Sequence, residues 1–163
     1  MARAVPLFSG SKGNSYYIGS ASEGVLIDAG RSCKQIENAM LANGLDMGSI
    51  GAVFITHEHT DHCSALRVLA KRYGFKVYSS LGTLNALRAG NKLDPNTDAD
   101  VITDEVVIGN MRVQRIDTPP RCGGKLLLPC YCSRRKIRTY SNRYGRYVAR
   151  CQNCRRAERL CCA

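Results

Sequence analysis

The chain has 163 residues, 44% of them hydrophobic and 23% charged, which suits one globular domain and excludes bulk disorder. No apolar run approaches the length of a membrane span, and residues 1–15 carry no basic stretch followed by a long apolar core, so the expected setting is the cytoplasm. The net charge of +11 invites a nucleic-acid reading, yet all of it sits at one end. Residues 1–118 hold 12 Lys+Arg against 12 Asp+Glu, whereas residues 119–163 hold 12 Lys+Arg against Glu158 alone. Seven of the nine cysteines also lie in that last stretch. The chain therefore divides into an α/β domain over 1–118 and a basic, Cys-rich, irregular tail over 119–163. Cys33 and Cys63, in the balanced part, read as reduced thiols.

The first part alternates strand and helix signals. Val5–Phe8 is a short apolar run, followed by the polar loop Ser9-Gly10-Ser11-Lys12-Gly13-Asn14-Ser15. Tyr16–Ile18 and Val25–Ile27 read as strands around a turn at Ser20–Gly24. Ser32 and Gln35 form a capping-box pattern, since each side chain can satisfy a free N–H at a helix start. Ile36, Ala39, Met40 and Leu41 supply the apolar stripe of that helix, and Gly44 its stop. Ala52–Thr56 reads as a buried strand. Ala65–Tyr73 reads as a helix with Leu66, Leu69 and Ala70 on one face, ending at Gly74. Lys76–Ser79 is a strand and Leu81–Ala89 a helix. Val106–Ile108 and Met111–Ile116 make a hairpin about Gly109-Asn110. Such alternation implies a layered α/β domain.

All three histidines fall in one hexapeptide, His57-Glu58-His59-Thr60-Asp61-His62, directly after the apolar run Val53–Thr56. A rigid strand feeding a ligand-rich loop holds a metal site in place. In extended chain, residues two apart project to one side, so His57 and His59 can reach one metal together. Asp61 and His62 can reach a second one close by. Imidazole nitrogen and carboxylate oxygen suit zinc, manganese or iron. A helical His-Glu-x-x-His zinc site is excluded, because Asp61 occupies the position four after His57. Glu58 and Thr60 read as the outward-facing residues between the ligands.

The hexapeptide matches His-x-His-x-Asp-His, the signature of the metallo-β-lactamase fold superfamily. Together with Phe8–Ser15, Leu26-Ile27-Asp28-Ala29-Gly30 and Phe54–His62, it resembles the YycJ/WalJ family of these hydrolases over roughly residues 3–118. The resemblance implies a fold built as the N-terminal half of an αβ/βα sandwich. It also implies a bacterial cytoplasmic metal-dependent hydrolase, a phosphodiesterase or DNA exonuclease, with two divalent metal ions, Zn or Mn. By the same resemblance, His57 and His59 bind the first metal, Asp61 and His62 the second, and Asp61 also orients the attacking water. Asp28 is read as support behind the ligands, against a turn-capping carboxylate as the plainer alternative. The Ser9–Ser15 loop is placed to meet a phosphate with backbone N–H groups, or simply to connect a hairpin.

The resemblance stops near Pro119. The family continues with Thr-Pro-His-Asp-Ala and later a metal-bridging Asp and a final His. This chain has Thr118-Pro119-Pro120-Arg121-Cys122, no histidine after His62 and no aspartate after Asp117. His-Asp-Ala can be encoded CAC-GAT-GC, and one extra C upstream shifts that reading to CCA-CGA-TGC, which is Pro-Arg-Cys. The expectation is therefore a shifted frame from about Pro120, an inactive chain, and a first-half sheet with apolar surface such as Val25–Ile27 and Val53–Ile55 left partly exposed. The rival expectation makes the tail a nucleic-acid-binding module. Cys130-x-Cys132 and Cys151-x₂-Cys154 approach a zinc-ribbon spacing. Arg134, Arg135, Lys136, Arg138, Arg143 and Arg146 interleave with Tyr140, Tyr144 and Tyr147, as strand clamping by charge and stacking requires.

Overall fold

The computed structural model describes residues 3–117 and, beyond them, the strand segments 126–127, 130–132, 135–141 and 147–151. Six strands form the main sheet in sequence order: β1 (Arg3–Phe8), β2 (Ser15–Gly19), β3 (Gly24–Ile27), β4 (Ile50–Phe54), β5 (Lys76–Ser79) and β6 (Ala99–Val101). β1, β2 and β3 are antiparallel neighbours, with Tyr17 opposite Leu26 in the second pair. From β3 to β6 the pairing is parallel. Parallel neighbours need crossovers. These are supplied by α1 (Cys33–Ala42), by α2 (Thr60–Cys63) with α3 (Leu66–Tyr73), and by α4 (Leu81–Ala89).

The helix boundaries follow from local chemistry. The Ser32 and Gln35 side chains cap the start of α1 reciprocally, as their spacing implies. α3 ends where Gly74 adopts φ 67°, a left-handed value that costs a glycine least. Ser80 caps α4 through the N–H of Thr83. One residue of the expected α1 stripe departs from it. Leu41 is 76% exposed, because it lies about 100° round the helix from buried Met40. Strand β6 and helix α2 carry too little pattern to be read from sequence.

Strand alternation sends side chains to two cores. Leu26, Val53, Ile55 and Val77 pack with Ile36 and Met40 of α1, Leu66 and Leu69 of α3, and Leu84 and Leu87 of α4. Val25, Ile27, Ala52 and Phe54 point the other way, onto Ile102, Met111 and Val113. Met111 and Val113 belong to β8 (Met111–Gln114), which pairs with β7 (Glu105–Ile108) in the expected hairpin. The architecture is thus helices, sheet, second sheet: one half of an αβ/βα sandwich.

This layering corrects the expectation of an exposed sheet. Val25, Leu26, Ile27, Val53 and Ile55 are all fully buried: Leu26, Val53 and Ile55 under the helices, and Val25 and Ile27 because the β7–β8 hairpin covers the opposite face. Past Asp117 the described segments are antiparallel strands. β9 (Ile116–Asp117) pairs with β10 (Leu126–Leu127). β11 (Cys130–Cys132) joins β8 to β12 (Arg135–Ser141), which pairs with β13 (Tyr147–Cys151). Of the cysteines in the ribbon reading, Cys154 lies outside the described residues, as do Arg134, Arg143, Arg146 and Tyr144. Among the described residues no helix is long and apolar enough to cross a membrane.

Candidate metal centre

The histidine hexapeptide sits at the carboxyl end of β4, beside the carboxyl end of β3. This is where open parallel sheets place their ligands, because the loops leaving those ends converge there. Three backbone hydrogen bonds lace the loops together. Ala29 N–H donates to the His62 carbonyl at 2.7 Å, Asn14 N–H to the Asp61 carbonyl at 2.7 Å, and Gly30 N–H to the Asn14 carbonyl at 2.9 Å. Gly30 has no room for a side chain, since a Cβ there would overlap the Asp61 carbonyl and crowd the Asn14 amide. Lys92, just past α4, donates to the Glu58 carbonyl at 2.8 Å and to the Thr60 hydroxyl at 3.1 Å. Thr60 is therefore tied down rather than merely solvated. Cys63 is buried and donates to the carbonyls of Glu58 and His59, and burial pushes its thiol up to about 11. Such a thiol is an inert packing group.

Asp28 is fully buried and adopts φ 60°, uncommon for a residue other than glycine. Its carboxylate accepts the Thr56 N–H at 2.8 Å and approaches the Thr56 hydroxyl at 2.9 and 3.0 Å. It also lies 2.7 Å from His62 Nδ1. The same Thr56 hydroxyl lies 3.0 Å from His57 Nδ1. A hydroxyl has one proton, and the carboxylate only accepts. The Thr56 O–H therefore donates to Asp28 and accepts from His57 Nδ1–H. One carboxylate thus sets the tautomer of two imidazoles, His62 directly and His57 through Thr56, and makes Nε2 the unprotonated nitrogen of each ring. The alternative of a simple turn cap describes only part of these contacts.

The four expected ligands are brought together as neighbours. The His57 and His62 rings stand 4.0 Å apart and the His57 and His59 rings 4.7 Å apart. His57 and His62 are buried, Asp61 is partly buried and His59 is exposed. His59 heads α2 in extended conformation, while Asp61 and His62 lie on its single turn. Asp61 Oδ2 and His62 Nε2 are 3.4 Å apart, the separation that two bonds of about 2.1 Å span at a near-tetrahedral angle. The donor set of imidazole and carboxylate, with the imidazoles oriented from behind by hydrogen bonds, therefore fits a divalent cation. Among the described residues no three His, Cys, Asp or Glu side chains converge on a single point.

Sequence reasoning missed two residues of this site. Thr56 carries the link between Asp28 and His57, and its only sequence signal is its place immediately before the first histidine. Asn14 lies in the loop singled out for its backbone, but its side chain is what reaches the cluster: Nδ2 is 3.2 Å from His62 Nε2 and 3.4 Å from Asp61 Oδ2.

The half-sandwich, with histidines and an aspartate clustered at its strand ends, marks the class as an αβ/βα-sandwich fold with a candidate metal centre. The family model described as the metallo-beta-lactamase superfamily matches residues 9–119, and the chain belongs to that superfamily. It is 40% identical over 81 residues to an exodeoxyribonuclease YycJ of Bacillus anthracis, a match covering 50% of this chain and 31% of that relative. It is 38% identical over 81 residues to an exodeoxyribonuclease WalJ of Streptococcus pneumoniae serotype 2, covering 50% and 30%. Each match thus spans under a third of the relative's own length. Among solved structures, a metallo-beta-lactamase from Cronobacter sakazakii superposes with a TM-score of 0.64 at 21% identity, covering 77% of this chain and 55% of that one. The subclass B3 metallo-beta-lactamase MEM-A1 from a soil metagenome library gives 0.63 at 20% identity, covering 90% and 61%. At such identities these structures speak for the fold.

Proposed function

We propose that residues 1–118 are the cation-binding half of a phosphodiesterase of the DNA-exonuclease type, with His57 and His59 as one donor pair and Asp61 and His62 as the other. The observation that carries this reading is the Asp28 network, which presents His57 and His62 as oriented imidazoles beside Asp61. Two divalent ions, Zn or Mn, are the cofactors this donor set suits. When bound, they supply Lewis-acid polarisation and an acidified water. The chain's own residues do the rest. Asp28 and Thr56 hold the ring tautomers, and Lys92 ties down the loop that carries His59. Asp61 has a partly exposed carboxylate from which to orient a water. The similarity to relatives named as exodeoxyribonucleases supports DNA as the substrate.

The chain has no histidine after His62 and no aspartate after Asp117 to complete either pair. A cation held by half its donors is weakly bound and poorly placed. We therefore expect weak divalent-ion binding and no nuclease activity from the 163-residue chain, and we read residues 119–163 as adding no donor to either pair. The test is metal content by elemental analysis after gel filtration. Replacing His57 and His59 together by alanine is expected to lower it. Unchanged content would place the metal in the tail and favour the zinc-ribbon reading. Asp61-dependent DNA cleavage by the unaltered chain would overturn the expectation of inactivity.

A further inference from the structure

Asn14 is 3% exposed and is gripped on both sides of its carboxamide. Its Oδ1 accepts the Gly10 N–H at 3.2 Å, and its Nδ2 donates to the Gly10 carbonyl at 3.1 Å. Turning the amide over would set donor against donor and acceptor against acceptor, so the orientation is fixed. Nδ2 is therefore the group that faces His62 Nε2 at 3.2 Å and Asp61 Oδ2 at 3.4 Å. It also lies 3.5 Å from the Asp61 carbonyl. His62 Nε2 must then accept, which agrees with its Nδ1–H donating to Asp28. The Asn14 amide thus occupies, with partial positive charge, the angle between the two atoms that would bind a cation.

We propose that the Asn14 carboxamide is a built-in stand-in for the cation at the Asp61–His62 pair: the one N–H not held by the Gly10 carbonyl is shared between His62 Nε2 and Asp61 Oδ2 when no cation is bound, and must yield His62 Nε2 when the cation arrives. This rests on the metallo-hydrolase reading of the same site. The amide is not needed to place the pair. His62 is held from behind by Asp28 and by Ala29 N–H, and the Asp61 carbonyl by the backbone N–H of Asn14. Removing the side chain therefore removes a competitor and leaves the donors in position. The difference between the two states is about one hydrogen bond, which corresponds to roughly a two- to tenfold change in cation affinity. The stand-in raises the stability of the cation-free protein and lowers its affinity for the ion by the same factor, as linkage demands.

The experiment compares the full chain with Asn14→Ala and Asn14→Asp. Mn²⁺ is the probe, because thiolates in the tail compete poorly for a hard ion. Free Mn²⁺ is followed by electron paramagnetic resonance, and unfolding by urea is measured in chelator and in saturating Mn²⁺. Asn14→Ala is expected to bind Mn²⁺ about two- to tenfold more tightly and to lose more stability in chelator than in saturating Mn²⁺, since its bonds to Gly10 are lost in both. Asn14→Asp keeps an acceptor for Gly10 N–H but sets oxygen against Asp61 and His62. It is expected to bind more tightly still and to be the least stable of the three in chelator. This inverse order of affinity and cation-free stability is the signature. Weaker or unchanged binding by Asn14→Ala, while the wild type binds, would overturn the stand-in and leave the metal site intact. If neither the wild type nor a variant binds Mn²⁺, the metallo-hydrolase reading itself fails and the stand-in with it. Asn14→Ala that does not fold in chelator but folds with Mn²⁺ is an extreme form of the expected result.

Discussion

Replacing Asp28 by asparagine tests the centre of the site with little steric change. Asparagine tolerates the left-handed backbone at φ 60°, so the substitution adds little strain there. Its Oδ1 can keep the Thr56 N–H bond. Its NH₂ group, however, would face both the Thr56 hydroxyl and His62 Nδ1, where the carboxylate accepts at 2.9 and 2.7 Å. Relief requires the imidazole to move its proton to Nε2. That N–H would then meet the Asn14 amide, another donor, at 3.2 Å. The charge-assisted bond to His62 is lost, and with it about 1.5–3 kcal/mol of stability. The larger effect falls on function, because a protonated Nε2 has no lone pair for a cation. Loss of an orienting partner of this kind lowers metal affinity by about 10- to 100-fold. The assays are urea unfolding, Mn²⁺ titration and ¹⁵N NMR of the imidazole, which reads the tautomer directly. Asp28→Asn with wild-type Mn²⁺ affinity and the proton still on Nδ1 of His62 would refute the reasoning.

Two further outcomes follow from other parts of the fold. Gly30→Ala places a methyl group into the Asp61 carbonyl and against the backbone N–H of Asn14. It is expected to cost about 3 kcal/mol in thermal or urea unfolding, with cation binding lost as the loops part. On the helix surface, Glu37 accepts hydrogen bonds from Tyr73 at 2.6 Å and Cys33 at 3.2 Å, and pairs with Arg72. The Tyr73 bond, then the Cys33 bond, hold the Glu37 carboxyl below its usual value of 4.5, and the same contact pushes Tyr73 up to about 12. A carboxyl lowered by folding contributes stability above its unfolded pKa and loses it as pH falls through the folded one. Glu37→Gln is therefore expected to lose stability at pH 7 and to show a shallower acid limb below about pH 4.5. An unchanged acid limb would separate the cluster from acid stability.

Much of this protein was legible from residue order because the signals are local. The Ser32–Gln35 cap, the Leu66–Leu69–Ala70 face, the stop at Gly74 and the Gly109-Asn110 hairpin each depend on residues within a turn or two of one another. The hexapeptide His57–His62 is equally local, so the candidate ligands could be named before any fold was known. Asp28 was legible as support only through resemblance. What it supports was decided by the parallel pairing of β3 with β4, which brings its carboxylate to Thr56 and His62. Asn14 lies 47 residues from Asp61, and no periodicity or spacing connects two such positions. The covered second face was also a tertiary outcome. Strand alternation shows that Val25, Ile27 and Phe54 share a side, but only packing against Met111 and Val113 determines that this side is dry. Short-range hydrogen bonding and period are written along the chain, whereas a buried polar network arises where separate strand ends meet.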